Sequence, residues 1–507
     1  MPIPADGRFN LAWHCLGRQA RARGGKIALI IAEDPDTMES WTYAELDAKV
    51  RRLAGGLAAS GLSKGDRVMI RAGNDVEAVL AIFATIAIGC VAQPASPMLT
   101  VEEVRALAAD SGAAAIVLDD ADPAVRAALA SLVVFDHGDV VRLAAESAPA
   151  DYAPTAADDP AYLVYTSGST AEPKGVLHGH RVVIGREPMH ADWLGLTGDD
   201  VVLHAGNINW TYTLGVGVLD PFARGATGVL YAGPRDPGVW PRLIEATGTT
   251  LFAAVPSLYR QALKYGDPSR MWPTRLRHGV TAGEALSPDL LAHWREATGT
   301  GLYEALGMSE ISTYVSSRPD EPVRPGSPGR PQRGRRVAVL PVEGGTDPLR
   351  PGEIGLLAVH RSDPGLMLGY WNRPEEEAAA FRGEWFLGGD LAEFDADGWV
   401  WHRGRNNDIM NAFGYRVSPL EVEKALAAHP DVADVAVAER TVSGDVSVIA
   451  AFVVGKPGRA PDEAALLAHA AARLAVYKRP RRIVFVDAIP HTPNGKVSRR
   501  LLPQLIA

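Results

Sequence analysis

The residues best suited to chemistry cluster between Tyr165 and Gly175, in the run Tyr-Thr-Ser-Gly-Ser-Thr-Ala-Glu-Pro-Lys-Gly. Small hydroxyl side chains at Thr166, Ser167, Ser169 and Thr170 surround Gly168, so hydroxyls and backbone N–H groups can turn toward one anion. Lys174 adds a positive charge at the rim. Phosphate is an anion that such a loop suits. The spacing is not that of the Gly-Lys-Ser/Thr phosphate loop, because Gly175 follows the lysine. Composition alone favours a flexible polar turn here, so the meaning of the segment depends on its companions. Four further charged residues stand in short words of their own. They are Glu310 in Leu-Gly-Met-Ser-Glu, Asp390 after Leu-Gly-Gly, Arg405 before Asn-Asn-Asp, and Lys496 in Pro-Asn-Gly-Lys. Singly, each reads most simply as a solvated side chain. No convincing Ser-His-Asp set or pair of general acids is present.

The elements that must position these residues alternate between helix and strand. TYAELDAKVRRLAGGLAASG has helical apolar spacing, ends at Gly61, and precedes the strand-like DRVMIR. AAAIVLDD reads as a short buried strand. A second stretch of the same character runs from Tyr162 to about Tyr314, with strands expected at Gly228–Tyr231 and Leu251–Val255. This alternation predicts an α/β fold with mostly parallel strands over residues 1–314. Pro and Gly then crowd the chain, and VAVLPV and GLLAVH predict a β-rich lobe over about 315–404. Beyond Arg405, two helices (PLEVEKALAAH and DEAALLAHAAARL) and two strands (VADVAVAER and VSVIAAFVV) predict a small α+β domain over 410–507.

Composition sets the outer limits. With 507 residues the chain needs more than one core, and 47% hydrophobic with 22% charged residues is ordinary globular composition. A formal charge of −9 provides no global footprint for nucleic acid, so an anionic ligand needs a local basic site. Cys15 and Cys90 cannot build a disulfide framework or a cysteine-rich metal site, which fits a reducing, cytoplasmic setting. The N-terminus has no continuous apolar stretch of the secretory kind. The apolar run Ala78 to Ala92 is short and Ala-rich, which predicts a buried helix and no membrane span.

The words recur in an order that resembles the adenylate-forming superfamily of acyl-CoA synthetases, non-ribosomal adenylation domains and luciferases. Tyr165–Gly175 resembles its phosphate signature, with Ala171 where the family usually has glycine. Asn209–Gly217 is similar to its acyl-pocket segment, where Trp210 and Tyr212 either line a carboxylate pocket or are core aromatics. Val255–Arg260 is similar to a structural segment of the family. Thr281–Ala285, with Gly283 and Glu284, resembles the loop along the adenine. Leu306–Gly307–Met308–Ser309–Glu310 resembles the word whose hydroxyl neighbours the α-phosphate and whose glutamate holds Mg²⁺, although Leu306 supplies no ring for adenine. Asp390 stands where the family binds both ribose hydroxyls, and Arg405 where it touches ribose or phosphate. Asn407 occupies the usual Asp or Lys pivot, which asparagine's backbone tolerance permits. Gly414 falls in the loop facing the pantetheine tunnel. Lys496 matches the terminal lysine that bridges acid and phosphates. The resemblance spans about two thirds of the chain, from Tyr165 to Arg499.

The resemblance implies a large domain (1–404), a hinge (405–409) and a small mobile C-terminal domain (410–507). It also implies an AMP-forming carboxylate–CoA ligase that uses ATP, Mg²⁺ and coenzyme A. Its small-molecule acid is expected to be a medium-chain or aromatic monocarboxylate. Acetate-specific relatives carry a tryptophan at the position of Gly307, so a deeper pocket is expected here. No nucleic acid or membrane partner is expected, and a homodimer is compatible with the family. Two rival readings remain: an adenylating enzyme that loads a separate carrier protein, and a catalytically silent nucleotide-binding regulator.

Overall fold

Thr42 starts the first long helix, Tyr43–Ala59, through a capping box. Its hydroxyl accepts from the Glu45 N–H, while the Glu45 carboxylate accepts from the Thr42 N–H. The strand Arg67–Arg71 follows, as its apolar centre predicts. The run from Ala78 to Ala92 is not one helix. Asp75 caps a helix over Val76–Ala87, Gly89 turns the chain at φ +79°, and Val91–Ala95 departs as a fully buried strand. Ala-rich apolar sequence looks alike in a buried helix and a buried strand, and the turn is marked only by its glycine.

The coordinates, a computed structural model, describe residues 7–118, 126, 127, 129, 131–166, 173–266, 272, 275–406, 410–412, 415–443, 446–459, 461–474, 476–491 and 497–505. The chain divides into two compact units. The first comprises Met1–Arg336 with His360–Phe386, and the second Val337–Val359 with Leu387–Ala507.

Two mixed sheets form the first unit. The larger has nine strands, six of them successive parallel neighbours: Gly301–Met308, His278–Ala282, Leu251–Ala254, Val201–His204, Thr227–Tyr231 and Ile27–Ala32. The returning strand Ser312–Ser316 pairs antiparallel with Gly301–Met308 and places a tight turn at Ser309–Ile311. Continuous apolar runs such as Leu251–Ala254 are buried throughout, as parallel strands covered on both faces must be. The second sheet has seven strands. In it Pro160–Thr166 and Lys174–Gly179 are antiparallel partners, and Thr166 lies opposite Lys174. Gly369–Tyr370 adds to its edge against Val176 and Leu177.

The second unit contains the strands Val337–Leu340 and Val400–Arg405, with residues 355–359 of the strand Gly355–His360 and residues 387–394 of the strand Trp385–Phe394. It also holds a three-stranded sheet of Val432–Ser443, Val446–Gly455 and Arg482–Phe485. The helices Pro419–Ala427 and Glu463–Ala471 bury Val422, Leu426, Leu466 and Ala470 in one cluster with Val437, Ile449 and Ala451 of that sheet. The mixed α/β architecture, with a large N-terminal and a small C-terminal domain, agrees with expectation. No helix among the described residues is long and apolar enough to cross a membrane.

Buried histidines make the first unit acid-sensitive. Burial lowers the imidazoles of His14 and His204 to about 3, and those of His178, His180 and His278 to about 4, from 6.5. Leu11 N–H donates to His180 Nδ1 at 3.0 Å, a bond that needs the neutral ring. In the unfolded chain these groups take protons near pH 6.5, so the unfolded state binds more protons between that pH and about 4. Stability is therefore expected to fall as pH falls through this window, by about 2 kcal/mol per histidine at pH 5. Glu304 acts oppositely: burial raises its carboxyl to about 8, so its contribution weakens as pH rises above 4.5. Five groups against one set the sign. Urea unfolding at pH 7 and pH 5 checks it, and a flat profile would contradict the neutral assignments.

Candidate active site

The β-turn at Ser309–Ile311 presents Glu310, and four contacts hold it and its flanks. His178 Nε2 donates to the Ser309 carbonyl at 2.7 Å, and the Met367 N–H donates to the Glu310 carbonyl at 2.7 Å. Tyr370 Oη donates to Glu310 Oε1 at 2.8 Å. Arg186 Nη1 donates to Ser312 Oγ at 2.5 Å, on the first residue of the returning strand. A carboxylate held this way is half-buried. Lys174 Nζ lies 5.6 Å from the centroid of the Tyr370 ring and 4.0 Å from Glu376 Oε1. The rim lysine of the hydroxyl-rich loop and the acidic turn are thus linked through one aromatic residue.

Tyr370, His178 and Arg186 escaped the sequence reading. Each reaches its partner across 60 or more residues of chain. The available signal for Tyr370 was the Gly-Tyr-Trp-Asn-Arg-Pro word that opens at Gly369.

Other expected residues are distributed as follows. Gly283 turns at φ +92°, and the Trp210 indole lies 3.5 Å from where a Cβ on it would sit. The Glu284 carboxylate accepts from Ser257 Oγ at 2.8 Å and from the Ser257 N–H at 3.1 Å, so it caps the helix Pro256–Tyr265. Tyr212 sits behind Trp210, edge-on at 5.4 Å between centroids, and donates to the Val280 carbonyl at 3.2 Å. Burial raises its phenol well above the ordinary value. Of the two aromatics, Tyr212 is committed to the core beside Trp193 and His204, while Trp210 faces the Gly283 turn. A Cβ on Gly307 would lie 2.2 Å from the Ser312 carbonyl oxygen and 2.6 Å from Thr313 Cα. Backbone therefore occupies the side-chain direction at position 307. Leu306 and Met308 flank it, half-buried on the same strand.

In the second unit, Asp390 is 3% exposed on the strand Trp385–Phe394. Arg405, its cross-strand partner, places Nε 3.1 Å from Asp390 Oδ1, and His402 Nε2 lies 3.1 Å from the same oxygen. Gly389 precedes the aspartate within the same strand at φ +82°, a left-handed backbone conformation that favours glycine. Ser167, Gly168, Ser169, Thr170, Asn407, Gly414 and Lys496 lie outside the described residues.

Among the described residues no cluster of three or more His, Cys, Asp or Glu could hold a metal ion. One half-buried glutamate on a pinned turn fits Mg²⁺, which keeps waters and shares phosphate oxygens with a nucleotide.

Residues 16–371 match the family described as AMP-binding enzyme, and residues 421–496 match the AMP-binding enzyme C-terminal domain. The chain belongs to the AMP-binding enzyme family. Its family relatives include a benzoate–CoA ligase from Thauera aromatica, 33% identical over 98% of this chain and 96% of that protein. The crystal structure of the anthranilate CoA ligase AuaEII in complex with anthranoyl-AMP superposes with a TM-score of 0.89 at 28% identity, covering 99% of this chain and 98% of that one. ATP-bound MatB from Rhodopseudomonas palustris gives 0.90 at 28% identity, covering 98% of each chain. The words in Tyr165–Gly175, Leu306–Glu310 and Val255–Arg260 all fall within the first family match.

Proposed function

We infer that this ATP-dependent, AMP-forming carboxylate–CoA ligase acts on an aromatic monocarboxylic acid. The observation that carries the substrate reading is the Trp210 indole laid against Gly283, with Tyr212 edge-on behind it. A flat apolar wall suits a planar ring, which stacks or packs edge-to-face on aromatic side chains. The benzoate–CoA ligase and the anthranilate CoA ligase among its relatives support the same class.

The chemistry requires activation because a carboxylate has no leaving group that a thiol can displace. An oxygen of the acid attacks the α-phosphorus of ATP in line, the bond to the β-phosphate oxygen breaks, and pyrophosphate leaves. The CoA sulfur, losing its proton, then attacks the acyl carbon and AMP departs. The first step needs positioning and charge neutralisation more than a covalent catalyst. Glu310 would hold Mg²⁺, which when bound neutralises phosphate charge. Thr166, Ser167, Gly168, Ser169, Thr170 and Lys174 cradle the phosphates, and Ser309 lies beside the α-phosphate. Asp390 and Arg405 orient the ribose, and Gly283, Glu284, Leu306 and Met308 flank the base. In this reading the chain is a large domain (1–404) and a small one (410–507) that swings about Asn407, exchanging Lys496 for the Gly414 loop between half-reactions. The reading includes a cytoplasmic homodimer, which light scattering and cell fractionation test.

A panel of acids assayed for pyrophosphate release with CoA present tests the substrate. Benzoate-type acids are expected to exceed acetate in kcat/KM by at least about tenfold. Preference for acetate or a medium-chain acid would overturn the aromatic assignment. Acid-dependent AMP release that ignores free CoA would point to a carrier protein.

A further inference from the structure

The mechanism leaves the buried ion pair of Arg186 and Asp220 unused. Arg186 and Asp220 are 3% and 1% exposed and joined by two hydrogen bonds, Nε to Oδ1 at 2.8 Å and Nη2 to Oδ2 at 2.6 Å. His190 Nε2 adds a contact of 3.1 Å to Asp220 Oδ1. Burial alone would raise the Asp220 carboxyl, yet the adjoining guanidinium and His190 hold it below the ordinary value. Desolvating two charges is expensive, and apolar side chains of similar volume serve a fold as well or better. The third guanidinium arm indicates what else the pair does.

That arm, Nη1, donates to Ser312 Oγ at 2.5 Å, and Ser312 Oγ lies 3.6 Å from Met189 Sδ. Ser312 has φ +72°, in the left-handed region that non-glycine residues avoid. Such a conformation persists only where its surroundings over-determine it. Its carbonyl oxygen fills the side-chain direction of Gly307, at 2.2 Å from an ideal Cβ. Ser312 thus closes the turn that begins after Met308 and carries Ser309 and Glu310. The other side of the guanidinium touches Gly215 in the helix Thr213–Leu219, where a Cβ would stand 2.2 Å from Nη2.

We propose that Arg186, clamped by Asp220, is a positioning residue for the magnesium nucleotide: through Ser312 it sets the turn bearing Ser309 and Glu310, and ties that turn to the acyl-pocket helix. The inference rests on the assignment of Glu310 above. Arg186 itself touches no reacting atom.

Ser312→Ala removes the accepting hydroxyl, and Ser312→Gly removes it together with the left-handed strain. Magnesium α,β-methylene-ATP is titrated calorimetrically into the whole protein and both variants, and thermal midpoints are recorded. Both variants are expected to bind the analogue about ten- to a hundredfold more weakly. The glycine variant is expected to keep or raise the wild-type midpoint. A purely structural serine predicts the reverse for glycine, a normal affinity with any change confined to the midpoint, and that result overturns the proposal. Wild-type protein that binds no analogue would overturn the nucleotide reading itself, and this inference with it. Wild-type binding with unaltered variants overturns this inference alone.

Discussion

Lys496→Ala is expected to lower acid-dependent exchange of pyrophosphate into ATP by about a hundred- to a thousandfold, while CoA thiolysis of a supplied acyl-adenylate stays near wild type. The scale is that of removing one pre-organised group from a developing charge. In the adenylation step, negative charge shifts onto the leaving pyrophosphate while a second anion approaches. A lysine reaching both lowers the barrier in a way that no neutral side chain replaces. Thiolysis involves no pyrophosphate, and in the proposed exchange about Asn407 the Lys496 ammonium has left the site before AMP departs. Single-turnover assays of each half-reaction separate the two. Equal losses in both would contradict the role assigned to Lys496, and with it the domain exchange about Asn407.

Gly307→Ala is expected to cost about 1–3 kcal/mol of stability through overpacking, and to abolish most adenylation activity at temperatures where the variant remains folded. An added Cβ meets the Ser312 carbonyl oxygen at 2.2 Å and Thr313 Cα at 2.6 Å, both backbone, so no side-chain rotation relieves the clash. Relief requires Ser312 to move, and Ser312 carries the hydrogen bond from Arg186. The turn bearing Glu310 would shift with it. For the same reason a tryptophan at position 307 is not expected to convert the enzyme into an acetate ligase. The antiparallel return of Ser312–Ser316 leaves the ring no direction into a pocket. Thermal midpoints and MgATP-dependent exchange check the claim; an alanine variant with wild-type midpoint and exchange would refute it.

These effects show how unequally the site could be read in advance. Thr166 and Lys174 are cross-strand partners at the two ends of the hydroxyl-rich loop, as a strand ending in such a loop requires. Glu310 lies on the turn of the hairpin formed by Gly301–Met308 and Ser312–Ser316. Asp390 and Arg405, 15 positions apart, face each other because a hairpin brings them together. The part of Glu284 was different: its carboxylate caps a neighbouring helix through Ser257, a contact with no local pattern to announce it.

From residues alone came the α/β alternation and the mostly parallel strands it implies, the small α+β tail, and the ordered words of an adenylate-forming enzyme. These are local properties, since periodicity and short motifs act within a turn or a strand. Tertiary structure alone decided which side chains hold the acidic turn. Tyr370 reaches Glu310 from 60 residues away, Arg186 reaches Ser312 from 126, and His178 reaches Ser309 from 131. It also decided that Gly307 is filled by backbone, and that Tyr212 belongs to the core while Trp210 faces the Gly283 turn. Such pairings depend on which sheet edges and helix ends meet after folding, a long-range outcome on which composition and spacing are silent.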